Sequence, residues 1–121
     1  MSFSTLINCM DGRVQRSCND WMRERFGAED VDTITAPGPV KRLASGEAAE
    51  LFDYARISVE KHGSQAVAIA AHPECAGNPV DRSVQEEELK RAAAALREEF
   101  PAATVVALWA NLDGSIEEIS V

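Results

Sequence analysis

Two kinds of hydrophobic pattern alternate along the chain. Short apolar runs of five or six residues, most of them without regular polar interruptions, occupy residues 5–9, 31–36, 66–71 and 104–109. Such runs are typical of strands, and a run without alternation suits a strand that is covered on both faces of a parallel sheet. The pattern therefore predicts four buried or half-buried strands.

Between these runs, apolar residues recur at steps of three and four, which predicts amphipathic helices over residues 17–26, 45–62 and 83–100. Ser45 is placed to cap the second helix, and Ser83 and Glu86 have the spacing of a capping box for the third. The two prolines and the glycine of residues 37–39 predict a rigid loop after the second strand.

After the fourth strand, Asp113 and Gly114 predict a hairpin that leads into a short edge strand through Ile116, Ile119 and Val121. The order of elements is then β-α-β-α-β-α-β-β. Alternating strands and helices favour a parallel sheet with right-handed crossovers. We predict one α/β domain over residues 1–121, with a mostly parallel sheet of about four strands, flanking helices and a C-terminal antiparallel hairpin strand.

Charge and composition narrow the possible functions. Twenty acidic residues against twelve Lys and Arg give a net charge of -8, which disfavours binding to the phosphate backbone of nucleic acids. No apolar stretch approaches the roughly 20 residues that span a bilayer, and the first residues do not resemble an export signal. The three cysteines, Cys9, Cys18 and Cys75, cannot all pair within one chain, which favours a reducing cytoplasm.

Cysteine and histidine residues at the predicted strand ends suggest a metal site. His72 and Cys75 lie three residues apart after the third strand, and Cys9 ends the first strand. Because the carboxyl ends of parallel strands meet at one edge of the sheet, these side chains can converge. Two thiolates and one imidazole suit zinc and leave a fourth position for water or substrate. Taken singly, Cys9 is more simply a small buried side chain and His72 a hydrogen-bonded strand end.

Two charged residues follow Cys9 with alternate spacing. Asp11 and Arg13 can pair in an extended segment, and a carboxylate near a metal can either ligate the ion or accept a hydrogen bond from its bound water. The simpler alternative is an ion pair that stabilises the turn. Cys18 lies on the apolar face of a predicted helix, so we assign it to the core.

Together, the Cys-x-Asp-x-Arg motif at residues 9–13 and the His-x-x-Cys motif at residues 72–75 resemble the paired motifs of the β-class carbonic anhydrases. The intervening elements follow the order of that family, and the closing hairpin is also similar. The resemblance implies zinc on Cys9, His72 and Cys75, with Asp11 and Arg13 as the catalytic dyad. In that family the aspartate can instead become a fourth zinc ligand, which closes the site.

The resemblance further implies hydration of carbon dioxide to bicarbonate, or hydrolysis of a related small electrophile, by a zinc-bound hydroxide that Asp11 and Arg13 orient. A homodimer or a higher homo-oligomer is expected, because the family site lies at a subunit boundary. The alternative is a non-catalytic zinc domain for binding or assembly, with Asp11 as fourth ligand. This alternative rests on residues 36–39, which are Ala-Pro-Gly-Pro where the family usually has an Arg-Asn-Ala-Gly segment. A redox protein that uses Cys9 and Cys75 is weaker, since it leaves His72 without a role.

Overall fold

A computed structural model of the protein describes residues 2–121. Its strands are β1 (Phe3–Cys9), β2 (Asp30–Ala36), β3 (Ala66–Ala71), β4 (Thr104–Ala110) and β5 (Ile116–Ile119). Its α-helices are α1 (Gln15–Phe26), α2 (Pro39–Ser45), α3 (Ala49–Arg56) and α4 (Arg82–Glu99). A 3-10 turn (Gly12–Val14) precedes α1, and a π-helical turn (Ile57–Lys61) continues α3.

The five strands form one sheet in the order β2-β1-β3-β4-β5. The first four strands are parallel, and β5 pairs antiparallel with β4, so that Ala110 faces Ile116 across the hairpin. The predicted α/β class, with a mostly parallel sheet and a C-terminal antiparallel strand, is thereby confirmed. Strands β1 and β3 are neighbours, and this adjacency brings their carboxyl ends together.

Alternate residues of the central strands serve two separate apolar cores. On one face, Ile7 of β1 and Ile69 of β3 pack with α2, α3 and α4. On the other face, Leu6 packs with side chains of α1 that include Cys18 and Met22. Because successive side chains of a strand point to opposite faces, a run with no polar interruption places apolar side chains on both faces of the sheet. Cys18 is completely buried, which confirms its assignment to the core.

The structure differs from the prediction around residues 37–45. Only the first part of the expected loop is irregular, because Pro39 opens the short helix α2, where its fixed φ and missing N–H suit the first helical turn. Ser45 is the last residue of α2 rather than the cap of the next helix, and its hydroxyl donates to the carbonyl of Arg42. The prediction that Ser45 caps a helix is therefore wrong.

The start of α4 and the end of β5 also differ from the prediction. Asp81, rather than Ser83, is the N-cap of α4, and its carboxylate accepts the backbone N–H of Val84. Val121 lies beyond the end of β5. Among residues 2–121, no helix combines the length and the apolar character needed to cross a membrane.

Candidate metal centre

The carboxyl ends of β1 and β3 position the predicted metal ligands. Cys9 is the last residue of β1, His72 follows β3 directly, and Cys75 lies one turn later. All three side chains are buried, with exposed fractions of 4% or less. The ligand atoms of Cys9, His72 and Cys75 lie within 4.8 Å of one another, so the structure brings the three residues together.

The separation of the two sulfur atoms provides a test of whether zinc fits. Cys9 Sγ and Cys75 Sγ are 3.8 Å apart. Two thiolates on a tetrahedral zinc, each about 2.3 Å from the ion, would also lie about 3.8 Å apart. The observed spacing and the sulfur and nitrogen donor set therefore fit a zinc ion.

The imidazole of His72 is oriented for ligation. Its Nδ1 lies 2.7 Å from the carbonyl oxygen of Pro73, so Nδ1 carries the proton and donates to that carbonyl. The other nitrogen, Nε2, is buried and has no hydrogen-bond partner among residues 2–121. A buried nitrogen without a partner is unfavourable unless something binds it. A metal ion would satisfy Nε2, and the bond from Nδ1 is the kind of support that metal-ligating histidines usually have.

Asp11 does not belong to this group of three, and its carboxylate is paired with Arg13. Arg13 Nη2 lies 2.8 Å from Asp11 Oδ2, and Arg13 Nε lies 3.1 Å from Asp11 Oδ1. The backbone N–H of Arg13 also donates to Oδ1 over 2.9 Å. The two residues are therefore paired as the sequence predicts, in a bidentate geometry that fixes both planes.

These contacts change the charge states near the site. The side-chain hydrogen bond from Arg13, followed by the one from its backbone N–H, lowers the pKa of Asp11 from 3.8 to about 2. Asp11 is therefore a carboxylate at neutral pH. Burial, and next the adjacent Cys9, raise the pKa of the Cys75 thiol above 9.0. Without a metal, Cys75 is a protonated thiol near pH 7.

A cavity of about 210 Å³ opens beside the ligand group and is lined by Cys9, Met10, Asp11, Pro37, Ala76 and Gly77. Its wall depends on a close approach between two loops. A Cβ atom on Gly77 would lie 2.6 Å from the carbonyl carbon of Pro37, which is too close for any other residue. The segments that follow β2 and Cys75 therefore pack directly together, and both contribute to the cavity.

The structure adds two residues that sequence reasoning missed. Glu74 contacts Arg13 through both its carboxylate and its carbonyl oxygen. Gln85 is buried, and its Nε2 donates to the carbonyl of His72 over 2.9 Å. Gln85 lies four residues before Leu89 on the buried stripe of α4, so a polar residue in an apolar position was an available signal. No feature of the sequence indicated the conformation of Glu74.

Comparison with known proteins supports the resemblance. A family model described as "Putative carbonic anhydrase" matches residues 1–120. The search of curated proteins finds no significant match.

Solved structures share the fold. A carbonic anhydrase from Streptococcus mutans is similar with a TM-score of 0.68 at 15% identity, over 96% of this chain and 81% of that chain. The β-carbonic anhydrase isoform I from Trichomonas vaginalis has a TM-score of 0.67 at 14% identity, over 95% and 81% of the two chains. A structure of two tetrameric β-carbonic anhydrases from Sordaria macrospora has a TM-score of 0.54 at 12% identity, over 100% and 82%.

The family model covers nearly the whole chain, and the solved structures share its overall fold over 95–100% of its length. At 12–15% identity the solved structures show a shared fold only. The match of the family model to residues 1–120 shows that the chain belongs to the family. The chain therefore belongs to the carbonic anhydrase family and is a carbonic anhydrase-like lyase with the β-class fold.

Proposed function

We propose that this protein hydrates carbon dioxide to bicarbonate, or hydrolyses a closely related small electrophile, with a zinc ion held by Cys9, His72 and Cys75. The observation that carries this proposal is the buried group of two thiols and one unpartnered imidazole nitrogen, whose ligand atoms lie within 4.8 Å. Family membership supports the reaction class. Zinc supplies Lewis acidity, which makes water a nucleophile near neutral pH.

Asp11 and Arg13 would orient the attacking water. The Asp11 carboxylate accepts a hydrogen bond from that water, which directs an oxygen lone pair toward the substrate carbon. Arg13 holds the carboxylate ionised and fixed in orientation, as its three side-chain hydrogen bonds to Asp11 indicate. Since Asp11 is paired with Arg13 in the structure, this arrangement supports the catalytic role over the role of Asp11 as fourth ligand.

The cavity beside Cys9 and Asp11 suits a small substrate. Its volume of about 210 Å³ is well above the roughly 10–15 Å³ that one water needs, and its lining residues include Met10, Pro37 and Ala76. A neutral molecule such as carbon dioxide would enter without the desolvation cost of an ion. Water adds its oxygen to the substrate carbon and loses one proton, so bicarbonate and a proton are the products.

We further propose a homodimer or a higher homo-oligomer that works in a reducing cytoplasm. Strands β2 and β5 form the two edges of the sheet, and a partner subunit that covers an edge removes an exposed row of backbone donors and acceptors. Three unpaired cysteines favour the reducing compartment. Light scattering at micromolar concentration should show at least a dimer, and a monomer alone would contradict the assembly.

Metal analysis and stopped-flow carbon dioxide hydration test the function together. Protein purified without chelator should contain about one zinc per chain and should be active between about pH 7 and 9, where water on zinc is ionised. Cys75→Ser should lose the zinc, whereas the matched variant Cys18→Ser should keep it. Protein that contains zinc but is inactive toward carbon dioxide and its sulfur analogues would leave the non-catalytic zinc domain as the function. Absence of stoichiometric metal would overturn both.

A further inference from the structure

Glu74 has an unusual backbone conformation within the His-x-x-Cys motif. Its φ angle is 57°, and among residues 2–121 it is the only residue other than glycine with a positive φ. Side chains make this left-handed region unfavourable, and residues that occupy it are held there by their surroundings. Glu74 lies directly before the candidate ligand Cys75, so the unfavourable conformation belongs to the turn that forms the site.

The turn presents two successive carbonyl groups to two different functional side chains. The carbonyl of Pro73 accepts the hydrogen bond from His72 Nδ1. The next carbonyl, that of Glu74, accepts a hydrogen bond from Arg13 Nη2 over 3.4 Å. The Glu74 carboxylate also pairs with Arg13 Nη1 over 3.3 Å. One backbone turn thus contacts both a candidate metal ligand and the arginine of the Asp11 and Arg13 pair.

We propose that Glu74 is a positioning residue, whose left-handed backbone directs its carbonyl at Arg13 and so keeps Arg13 bound to Asp11. This inference rests on the proposed roles of Asp11 and Arg13. With Arg13 anchored, Asp11 stays paired and directed at the attacking water. With Arg13 released, Asp11 is free to turn toward the metal centre and close it.

We assign the anchor to the backbone carbonyl, whose direction the left-handed conformation of Glu74 fixes, rather than to the carboxylate. The side chain of Glu74 is 71% exposed and that of Arg13 is 48% exposed. Ion pairs between such exposed groups contribute little, because water screens them. Glycine at position 74 would keep the carbonyl in place, since glycine adopts positive φ readily. Valine would not, because its branched side chain disfavours that region.

The Nε–H proton of Arg13, observed by NMR in the metal-free protein, tests the anchor directly. Its signal is assigned by its loss in Arg13→Lys. In Glu74→Val we expect this proton to exchange with water at least about tenfold faster than in the parent, and in Glu74→Gly within about threefold of it. Glu98→Val, on the exposed side of α4, is the matched control and should exchange at the parent rate.

A second pair of variants keeps the test independent of the stability of Glu74→Val. Glu74→Ala and Glu74→Gly both lack the carboxylate and differ only in one Cβ atom. Because alanine tolerates positive φ less well, its Arg13 proton should exchange faster than that of the glycine variant. Equal exchange in alanine and glycine variants, or parent-like exchange in a folded Glu74→Val, would overturn the proposal.

Cobalt(II), added alone as a spectroscopic probe, tests the consequence at the metal centre. We expect the visible bands of Glu74→Val to shift toward those of Arg13→Ala, and the additional change Asp11→Ala to abolish that shift. Unshifted bands in a cobalt-loaded Glu74→Val would contradict the proposal. Failure of the parent to bind cobalt or zinc would instead contradict the proposed function, while the exchange measurement would still decide the positioning role.

Discussion

Gln85 Nε2 donates a hydrogen bond to the backbone carbonyl of His72 over 2.9 Å, which joins the start of α4 to the end of β3. Both residues are 1% exposed, so no bulk water can replace the bond. Gln85 therefore holds the backbone of one candidate metal ligand, while the imidazole of the same residue is held by Pro73.

Replacement of Gln85 should weaken both the fold and the metal centre. In Gln85→Leu the buried carbonyl of His72 loses its donor, which we expect to lower the free energy of unfolding by about 1–3 kcal/mol. Loss of such support typically lowers metal affinity by about tenfold to a hundredfold. Urea unfolding of the metal-free protein and competition with a chelator measure the two effects. Gln65→Leu changes an exposed glutamine and should alter neither.

Removal of either member of the Asp11 and Arg13 pair should separate metal binding from catalysis. Asp11→Ala and Arg13→Ala keep all three candidate ligands, so zinc content should stay near that of the parent. The rate of carbon dioxide hydration should fall by about a hundredfold or more. Asp11→Ala removes the group that orients the attacking water, and Arg13→Ala removes the group that holds Asp11 in place. Stopped-flow assays with metal analysis measure both quantities.

Arg16→Ala removes another exposed arginine at the start of α1 and is the control for this pair of variants. It should retain the parent rate. Loss of zinc together with Asp11 would show that the carboxylate ligates the metal in the resting protein, contrary to its pairing with Arg13 in the structure.

The proximity of Cys9 and Cys75 predicts a specific oxidation product. Their sulfur atoms are 3.8 Å apart, whereas Cys18 is part of α1 and lies in the core between α1 and the sheet. Hydrogen peroxide should oxidise metal-free protein to a single Cys9–Cys75 disulfide, as two thiols lose two hydrogen atoms and the peroxide becomes two waters. Burial raises the pKa of Cys18 to about 12, which keeps it an unreactive thiol.

Peptide mapping by mass spectrometry identifies the oxidised pair, and bound zinc should slow the reaction because it occupies both sulfur atoms. Cys18→Ser should form the same disulfide as the parent. A product that links Cys18 to either other cysteine would contradict the pairing of Cys9 with Cys75 and the burial of Cys18 in the core.

The N-cap of α4 predicts a pH-dependent contribution to stability. The hydroxyl of Ser83, and next the backbone N–H of Val84, lower the pKa of Asp81 below its ordinary value of 3.8. A carboxyl whose folded pKa is depressed stabilises the fold above that ordinary value and loses the contribution as pH falls through the folded pKa. Asp81→Ala should therefore melt roughly 2–6 °C below the parent at pH 7.

This difference in Tm should stay constant from neutral pH to about pH 5 and should shrink below about pH 4. Thermal unfolding followed by circular dichroism across that range measures it. Asp20→Ala removes an exposed carboxylate from α1 and should not show the same pH dependence. A difference that persists unchanged at low pH would indicate that the charge of Asp81 does not stabilise the helix.

Periodicity was sufficient to predict most of the fold. Uninterrupted apolar runs such as residues 66–71 need cover on both faces, and this need predicts a parallel sheet with helices on both sides. The turn at Asp113 and Gly114 predicts the antiparallel strand, because those residues favour a tight hairpin. The candidate ligands Cys9 and His72 could be predicted for the same reason, since each lies at the end of a predicted strand.

Contacts between segments that are distant in the sequence determined the features of the fold and the site that periodicity did not predict. Helix α2 was missed because Pro39, Gly38 and Pro37 resemble a loop locally, whereas the packing of Gly77 against Pro37 settles their path. The left-handed conformation of Glu74 and the bond from Gln85 to His72 are likewise tertiary features. A sequence pattern indicates which side chains prefer burial, but only the folded chain determines which donor meets which acceptor, because those partners are 13 residues apart for Gln85 and His72 and 61 for Arg13 and Glu74.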